Sequence, residues 1–196
     1  MRTSRTEIRI NKISKAVRAR QFSLRIVLEN IHDKHNVSAI LRTCDAAGIP
    51  KVSLIYTSEK FPKLSRASSA SANKWVDKEK FTSIKECYDS LRREGFKIYA
   101  GALTSHSMNL YDIDFTEKIA IVMGNEHRGA ASESSELADG VFIIPMHGMV
   151  QSLNVSVATA VIVYEAQRQR TLKGMYRQSE LEENKIELII DEWCSK

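Results

Sequence analysis

The sequence is short of cysteine and of long apolar runs. Its three cysteines, Cys44, Cys87 and Cys194, are far apart, and no pair has metal-ligand or redox-motif spacing. So sparse and odd a count argues against a disulfide framework and fits a reducing compartment. The longest largely apolar stretch, residues 155–164, is about half the ~20 residues that a membrane helix needs. The N-terminus is charged and lacks the apolar core of a signal peptide. These absences predict a soluble, cytoplasmic protein with no membrane partner. The five histidines (His32, His35, His106, His127, His147) show no metal pattern, so no metal is expected. There is no internal repeat and no low-complexity segment.

What is present fits one domain. The chain has 196 residues and is 43% hydrophobic, enough for a real core with a short arm at each end. The formal net charge is +5 with a pI near 9.1. A basic surface attracts polyanions. The charge is concentrated: Arg2, Arg5, Arg9, Lys12, Lys15, Arg18 and Arg20 are opposed only by Glu7. Residues 4–20 read as a helix with Arg2, Arg5, Arg9 and Lys12 on one face and Ile10, Ile13 and Val17 on a neighbouring stripe. Such a helix is either a solvated element docked on the body or an RNA-binding arm.

Strand and helix signals then alternate. Residues 24–29 form a β-branched apolar run of strand length. Asn36 stands as an N-cap before a helix at 37–47, with Val37, Ile40, Leu41 and Cys44 on one face and Gly48 and Pro50 ending it. Strands are predicted at 52–56, 96–102, 118–124 and 141–144, with helices at 83–94 and 132–138. Residues 57–74 read as a loop or short helix. A helix at 153–168 is apolar almost all round until Glu165 and is expected to be largely buried. Ser179 and Glu182 have capping-box spacing for a last helix over 180–193. That segment is acidic with an apolar stripe, which suits packing better than RNA binding. The cycle predicts an α/β fold: a parallel sheet with helices on both faces.

In open α/β sheets, ligands bind beyond the carboxyl ends of the strands. Three segments lie there: HNVSAILR, GNEHRG and IPMHGMVQSLN. The second fails two nucleotide signatures. Asn125 and Glu126 interrupt a dinucleotide fingerprint, and Ala130 and Ala131 stand where a Walker loop needs Lys and Ser or Thr. Neither NAD nor ATP is favoured.

HNVSAILRTCDAAGIP, MGNEHRG and IPMHGMVQSLNVSVATA together resemble the three motifs of the SpoU, or TrmH, family of RNA ribose 2′-O-methyltransferases, in the SPOUT superfamily. The resemblance runs from about residue 24 to 176 and includes SASANKWV. VQSLNVSVATAVIVYEAQRQR followed by GMY looks especially like the branch acting on guanosine 18 of tRNA. The resemblance implies a deep trefoil knot near the C-terminus, a homodimer, S-adenosylmethionine as cofactor and tRNA as partner. Nothing in composition or spacing points to a knot, which is rare among folds.

The implied cofactor loops are 101–103, 124–126 and 144–153, with Gly101, Leu103, Gly124, Ile144 and Leu153 as contacts. Gly124 and Gly148 would give the cofactor room against bare backbone. The motif positions carrying catalysis fall on Asn36, Arg42, Glu126, Ser152 and Asn154. Arg42 would hold a phosphate and steady the developing alkoxide, since a guanidinium is a poor base. Without the resemblance it would be a surface arginine paired with a carboxylate such as Asp45. Asn36 would cap its helix and orient Arg42. Ser152 and Asn154 would cap the long helix and also meet cofactor and ribose. Glu126 would fix the second loop or a dimer contact. Arg5, Arg9, Lys12, Arg66 and Arg128 are candidate RNA contacts, as is His127, whereas Trp75 reads as packing. The chain divides into an arm (1–20), a catalytic domain (21–175) and a packing helix (176–196). The alternatives are the same chemistry on another tRNA site or on ribosomal RNA, and a knotted RNA-binding protein without catalysis.

Overall fold

The computed structural model describes residues 5–57, 60–62, 72–125 and 129–196. The strands are β1 (Leu24–Glu29), β2 (Lys51–Ile55), β3 (Asp77–Phe81), β4 (Lys97–Gly101), β5 (Met108–Asn109), β6 (Ile119–Met123) and β7 (Gly140–Ile143). The helices are α1 (Glu7–Arg18), α2 (Lys34–Ala46), α3 (Ile84–Arg93), α4 (Ser132–Leu137), α5 (Val155–Leu172) and α6 (Glu183–Ser195), with short 3-10 turns at Ala72–Lys74 and Leu110–Asp112.

The strands form one sheet in the order β3-β2-β1-β6-β4-β7-β5, and all neighbours are parallel. Ile26 of β1 lies beside Val52 on one side and Ile121 on the other. All six residues of β1 are buried, as a central parallel strand requires. The pleat divides its side chains between two cores. Leu24, Ile26 and Leu28 join Ile119, Ile121 and the inner faces of α2 and α5. Val27 joins Ala120, Val122, Ile98 and the inner face of α3 on the other side. A smaller cluster joins α1 to α6 through Ile13, Val17, Ile186, Ile190 and Trp193.

Several expectations are corrected. Asn36 does not cap α2. Asp33 does, accepting from the His35 N–H at 2.8 Å, so the helix starts three residues earlier and Asn36 lies buried within it. Val37, Ile40, Leu41 and Cys44 are buried as the periodicity predicts. Ser179 and Glu182 form no capping box: α6 begins at Glu183 with no side-chain cap, and the Ser179 hydroxyl instead accepts from the Leu181 N–H. Helix α5 is less buried than its composition suggests. Only the stripe containing Val155, Thr159, Ile162, Val163 and Ala166 meets the sheet side, leaving Val157 and Tyr164 about half exposed. Strands β3 and β5 were not foreseen. β3 reads DKEKF, and it forms because β2 offers it a parallel edge.

Candidate active site

The carboxyl ends of β4 and β6, the start of α4 and the segment leading into α5 enclose a cleft of about 960 Å³. Gly101 and Leu103 line it from the loop after β4, and Met123, Gly124 and Asn125 from the end of β6. Ser152, Leu153 and Asn154 close it from the third loop. The sequence expectation for Gly101, Leu103, Gly124 and Leu153 thus places them on one cavity. Ile144 is absent from its lining and packs, partly buried, against the core. Ala130, Ser132, Ser135 and Glu136 also line the cleft, and none of them is among the cofactor contacts that the resemblance implies.

The first loop is held by Ser107, whose hydroxyl donates to the Ala102 carbonyl at 2.6 Å and accepts from the Thr104 N–H at 2.9 Å. The third loop is held by Asn154. Its Oδ1 caps α5, accepting from the Ser156 N–H at 2.8 Å and the Ser156 hydroxyl at 2.6 Å. Its Nδ2 donates to Asn36 Oδ1 at 3.1 Å. This bond joins two segments 118 positions apart in the chain. Asn36 is 8% exposed and receives this bond from within α2, where Asp33 rather than Asn36 is the cap.

The second loop is the tightest. A Cβ on Gly124 would sit 1.9 Å from the Ala130 nitrogen, so this glycine is required by the chain's own backbone. The sequence reading assigned that room to a cofactor, as it did for Gly148, where a Cβ would meet nothing within 4 Å. Asn125 and Gly129 exchange backbone hydrogen bonds at 2.9 and 2.8 Å, with Gly129 at φ +70°. Glu126, His127 and Arg128 lie outside the described residues, as does Arg66. Beneath this loop, buried Glu29 accepts from the Ala131 N–H at 3.0 Å and the Ser134 hydroxyl at 2.6 Å. Sequence reasoning passed over Glu29, although a carboxylate ending a fully buried strand needs such partners.

Arg42 projects from α2 as an exposed side chain and does not line the cleft. The alternative partner, Asp45, is engaged by Arg20 at 2.6 Å. No hydrogen bond or ion pair to another described residue holds Arg42.

The N-terminal cations are distributed over α1. Arg5 donates through Nε to the Cys194 carbonyl at 2.8 Å, and the Arg9 guanidinium lies over the Trp75 ring. Lys12 is exposed. Trp75 packs against Trp193 with ring centroids 4.7 Å apart, in keeping with a packing role. Arg18 pairs with Glu183 and Glu187 of α6, which offsets part of the arm's charge.

Among the described residues no His, Cys, Asp and Glu side chains assemble as a metal cluster, and no helix is long and apolar enough to cross a membrane. The cleft does fit a nucleoside cofactor. Its volume lies within the ~300–1,000 Å³ range of small-molecule sites. Leu103, 86% exposed on the lip, offers an apolar surface to a base, and the serine hydroxyls and backbone of the three loops offer polar contacts.

Comparison with known proteins agrees with this geometry. The model of the SpoU rRNA Methylase family matches residues 23–164. The chain is 41% identical over 192 residues to the tRNA (guanosine(18)-2′-O)-methyltransferase of Thermus thermophilus, covering 98% of each protein. The crystal structure of the A. aeolicus TrmH/SpoU tRNA modifying enzyme is similar with a TM-score of 0.90 and 39% identity, over 96% of both chains. The SpoU methyltransferase AviRb from Streptomyces viridochromogenes, solved in complex with AdoMet, has a TM-score of 0.67 at 26% identity, over 78% of this chain and 59% of that one. With the family model covering more than half of its length, this chain belongs to the SpoU rRNA methylase family.

Proposed function

We propose that this protein transfers a methyl group from S-adenosylmethionine to the ribose 2′-oxygen of guanosine 18 in tRNA. The observation that carries the chemistry is the Asn36–Asn154 hydrogen bond at the wall of the three-loop cleft, which brings the first and third motifs together. The substrate follows from similarity along the whole chain to a relative named for guanosine 18.

When bound, S-adenosylmethionine supplies an electrophilic methyl group. The protein's part is to hold and orient. Leu103, Gly101, Gly124 and Leu153 shape the cofactor cleft, and Ser152 and Asn154 present polar groups at its third loop. Arg42, exposed and without a described partner, takes the phosphate beside the target ribose and stabilises the developing alkoxide. The proton leaves to phosphate or water, because a guanidinium is a poor base. Glu126 fixes the second loop or a subunit contact. Arg5, Arg9 and Lys12 extend the RNA contact along α1, with Arg66 and Arg128 contributing beside the site. In this reading residues 1–20 are an RNA-facing arm, 21–175 the catalytic domain and 176–196 a packing segment.

The same reading includes a homodimer, a trefoil knot in the C-terminal part of the catalytic domain, and a cytoplasmic setting. Support for the dimer comes from exposed Met149, Val150, Val157 and Tyr164, which follow one another along a single stretch of chain. Support for the setting comes from the cysteines, all free and buried. Burial pushes the Cys44 and Cys87 thiols up to about 12, which keeps them protonated and inert at neutral pH.

The test is incubation of purified protein with S-adenosylmethionine and a tRNA transcript bearing guanosine 18, followed by nuclease mapping and mass spectrometry. A ribose methyl at guanosine 18 is expected, with the rate falling roughly 10²–10³-fold in Arg42→Ala. Full activity in Arg42→Lys would overturn the forked phosphate contact. A methyl on another tRNA ribose or on ribosomal RNA would keep the chemistry and replace the substrate.

A further inference from the structure

Glu29 and Asn30 are consecutive residues at the carboxyl end of β1, and each holds one side of the second loop. On the near side, Asn125 Nδ2 donates to the Asn30 carbonyl at 2.6 Å. On the far side, the Glu29 carboxylate takes the Ala131 N–H at 3.0 Å and the Ser134 hydroxyl at 2.6 Å. Ala131 lies between Ala130 and Ser132, both of which line the cleft, and Ser134 precedes Ser135, which also lines it. The Tyr88 hydroxyl donates to the Ser134 carbonyl at 3.0 Å from the opposite side. Glu29 is 2% exposed and Ser134 is fully buried.

A carboxylate in such a place is costly unless its oxygens are used. Here each oxygen accepts one bond from the wall of the cleft. The strand that carries it is central and pinned on both sides by β2 and β6. Ala130 also lies close against Gly124, where an added Cβ would sit 1.9 Å from the Ala130 nitrogen. The position of Ala130, Ser132 and Ser135 is therefore set by Glu29 below and Gly124 beside.

We infer that Glu29 is a positioning residue that sets the affinity for S-adenosylmethionine by holding the 129–135 wall of the cleft through Ala131 and Ser134. This rests on the cofactor reading of the cleft given above. Glu29 touches no substrate; it acts through the loop, and tRNA binding does not depend on it.

The test is calorimetric titration of the full chain with S-adenosylmethionine, in parallel with tRNA binding by fluorescence anisotropy and a thermal melt. Removal of both acceptors in Glu29→Ala leaves the Ala131 N–H and the buried Ser134 hydroxyl without their partner, and is expected to weaken cofactor affinity about tenfold or more. Its tRNA affinity should stay within roughly twofold, since non-specific and specific tRNA contacts are set by phosphates and bases. Ser134→Ala removes one acceptor's partner and should weaken cofactor binding by about threefold. Glu29→Gln is the conservative rescue. Its Oε1 can still accept from Ala131, its amide can donate to the Ser134 hydroxyl, and affinity should return to within about twofold of the natural protein.

If Glu29→Ala does not fold, Ser134→Ala and Glu29→Gln still give the answer. Cofactor affinity unchanged in Ser134→Ala would overturn the inference. So would parallel loss of cofactor and tRNA affinity in step with the melting temperature, which marks a purely structural role. Loss in Glu29→Gln with none in Ser134→Ala would place the effect on charge and overturn the hydrogen-bond account. Failure of the unaltered protein to bind S-adenosylmethionine would overturn the cofactor reading itself, and this inference with it.

Discussion

The two ends of α5 solve opposite problems with the same helix. At its C-terminal end Arg170 is fully buried, and its guanidinium is used up. Nε donates to the Phe115 carbonyl at 2.8 Å, while Nη1 reaches the Ser23 hydroxyl at 2.8 Å and Gln21 Oε1 at 3.2 Å. Nη2 donates to the Ser23 and Glu117 carbonyls at 3.1 and 2.9 Å. Burial pulls its pKa down and Glu180, at 3.5 Å, pushes the other way. At the N-terminal end Asn154 is exposed, Val157 is half exposed, and Ser152 and Asn154 line an open cleft. One end spends its polar atoms inside the core; at the other, Asn154 anchors the loop through Ser156 and Asn36 while the exposed Ser152 lines the cleft. A site needs that asymmetry: loops that present groups to a ligand must be fixed from a distance by parts that present none.

The largest effect should come from breaking the closed end. Arg170→Met would take the guanidinium donors from the Phe115 and Glu117 carbonyls and one of two donors from the Ser23 carbonyl, which also accepts from the Ile119 N–H at 2.9 Å. The loss of a buried hydrogen-bonded charge at such a point is expected to cost about 3–5 kcal/mol. Urea denaturation followed by circular dichroism reads this directly. A loss below about 1 kcal/mol, the scale of one ordinary hydrogen bond, would mean that the closed end is not what holds α5.

At the open end the same comparison becomes a split between stability and activity. Asn154→Ala removes the cap of α5 and should cost about 1 kcal/mol of stability. Asn154→Asp keeps an acceptor for the Ser156 N–H and so keeps the cap, but it cannot donate to Asn36. Its melting temperature should stay near that of the natural protein while methyl transfer falls by roughly tenfold or more. Equal activity in the two proteins would show that the bond to Asn36 is a packing detail.

How much of this was legible depends on where a residue's partners lie in the chain. The apolar run of β1 and the face of Val37, Ile40, Leu41 and Cys44 are local patterns, and they read correctly from sequence. The loops at 101–103, 124–126 and 144–153 are legible only through the family resemblance; Gly101, Leu103, Gly124 and Leu153 line the cleft and Ile144 does not. Asp33 and Asn36 are both good caps, and local chemistry could not choose between them; what decides is the pairing of Asn36 with Asn154 across 118 positions. Arg170 sits in a run, QRQR, that looks like a solvated helix end. Its acceptors come from residues 21–23 and 115–117, so only the assembled fold shows it as core. β3 carries charged side chains because it pairs on one side only, which removes the apolar signature.

The smallest effect should lie midway along α5, where its character changes. Glu165 is 9% exposed; Arg168 binds it through Nε and Nη2 at 2.8 Å, and Gln169 through Nε2 at 2.8 Å. Gln169 also clasps the loop before β6, with Oε1 accepting from the Phe115 N–H at 2.9 Å and Nε2 donating to the Ile113 carbonyl at 3.0 Å. The hydrogen bond from Arg168 is the main cause that holds the Glu165 carboxyl below its ordinary value of 4.5, and burial opposes it. A depressed folded-state pKa adds stability that is complete above 4.5 and is lost as the pH falls through the folded value. Glu165→Gln should therefore lower the melting temperature at pH 7 by less than Asn154→Ala does. The gap between Glu165→Gln and the natural protein should close as the pH is taken below 4.5. A gap that stayed constant with pH would place the role of Glu165 in packing alone, and the grip on the 113–115 loop would then rest on Gln169 and Arg170 without it.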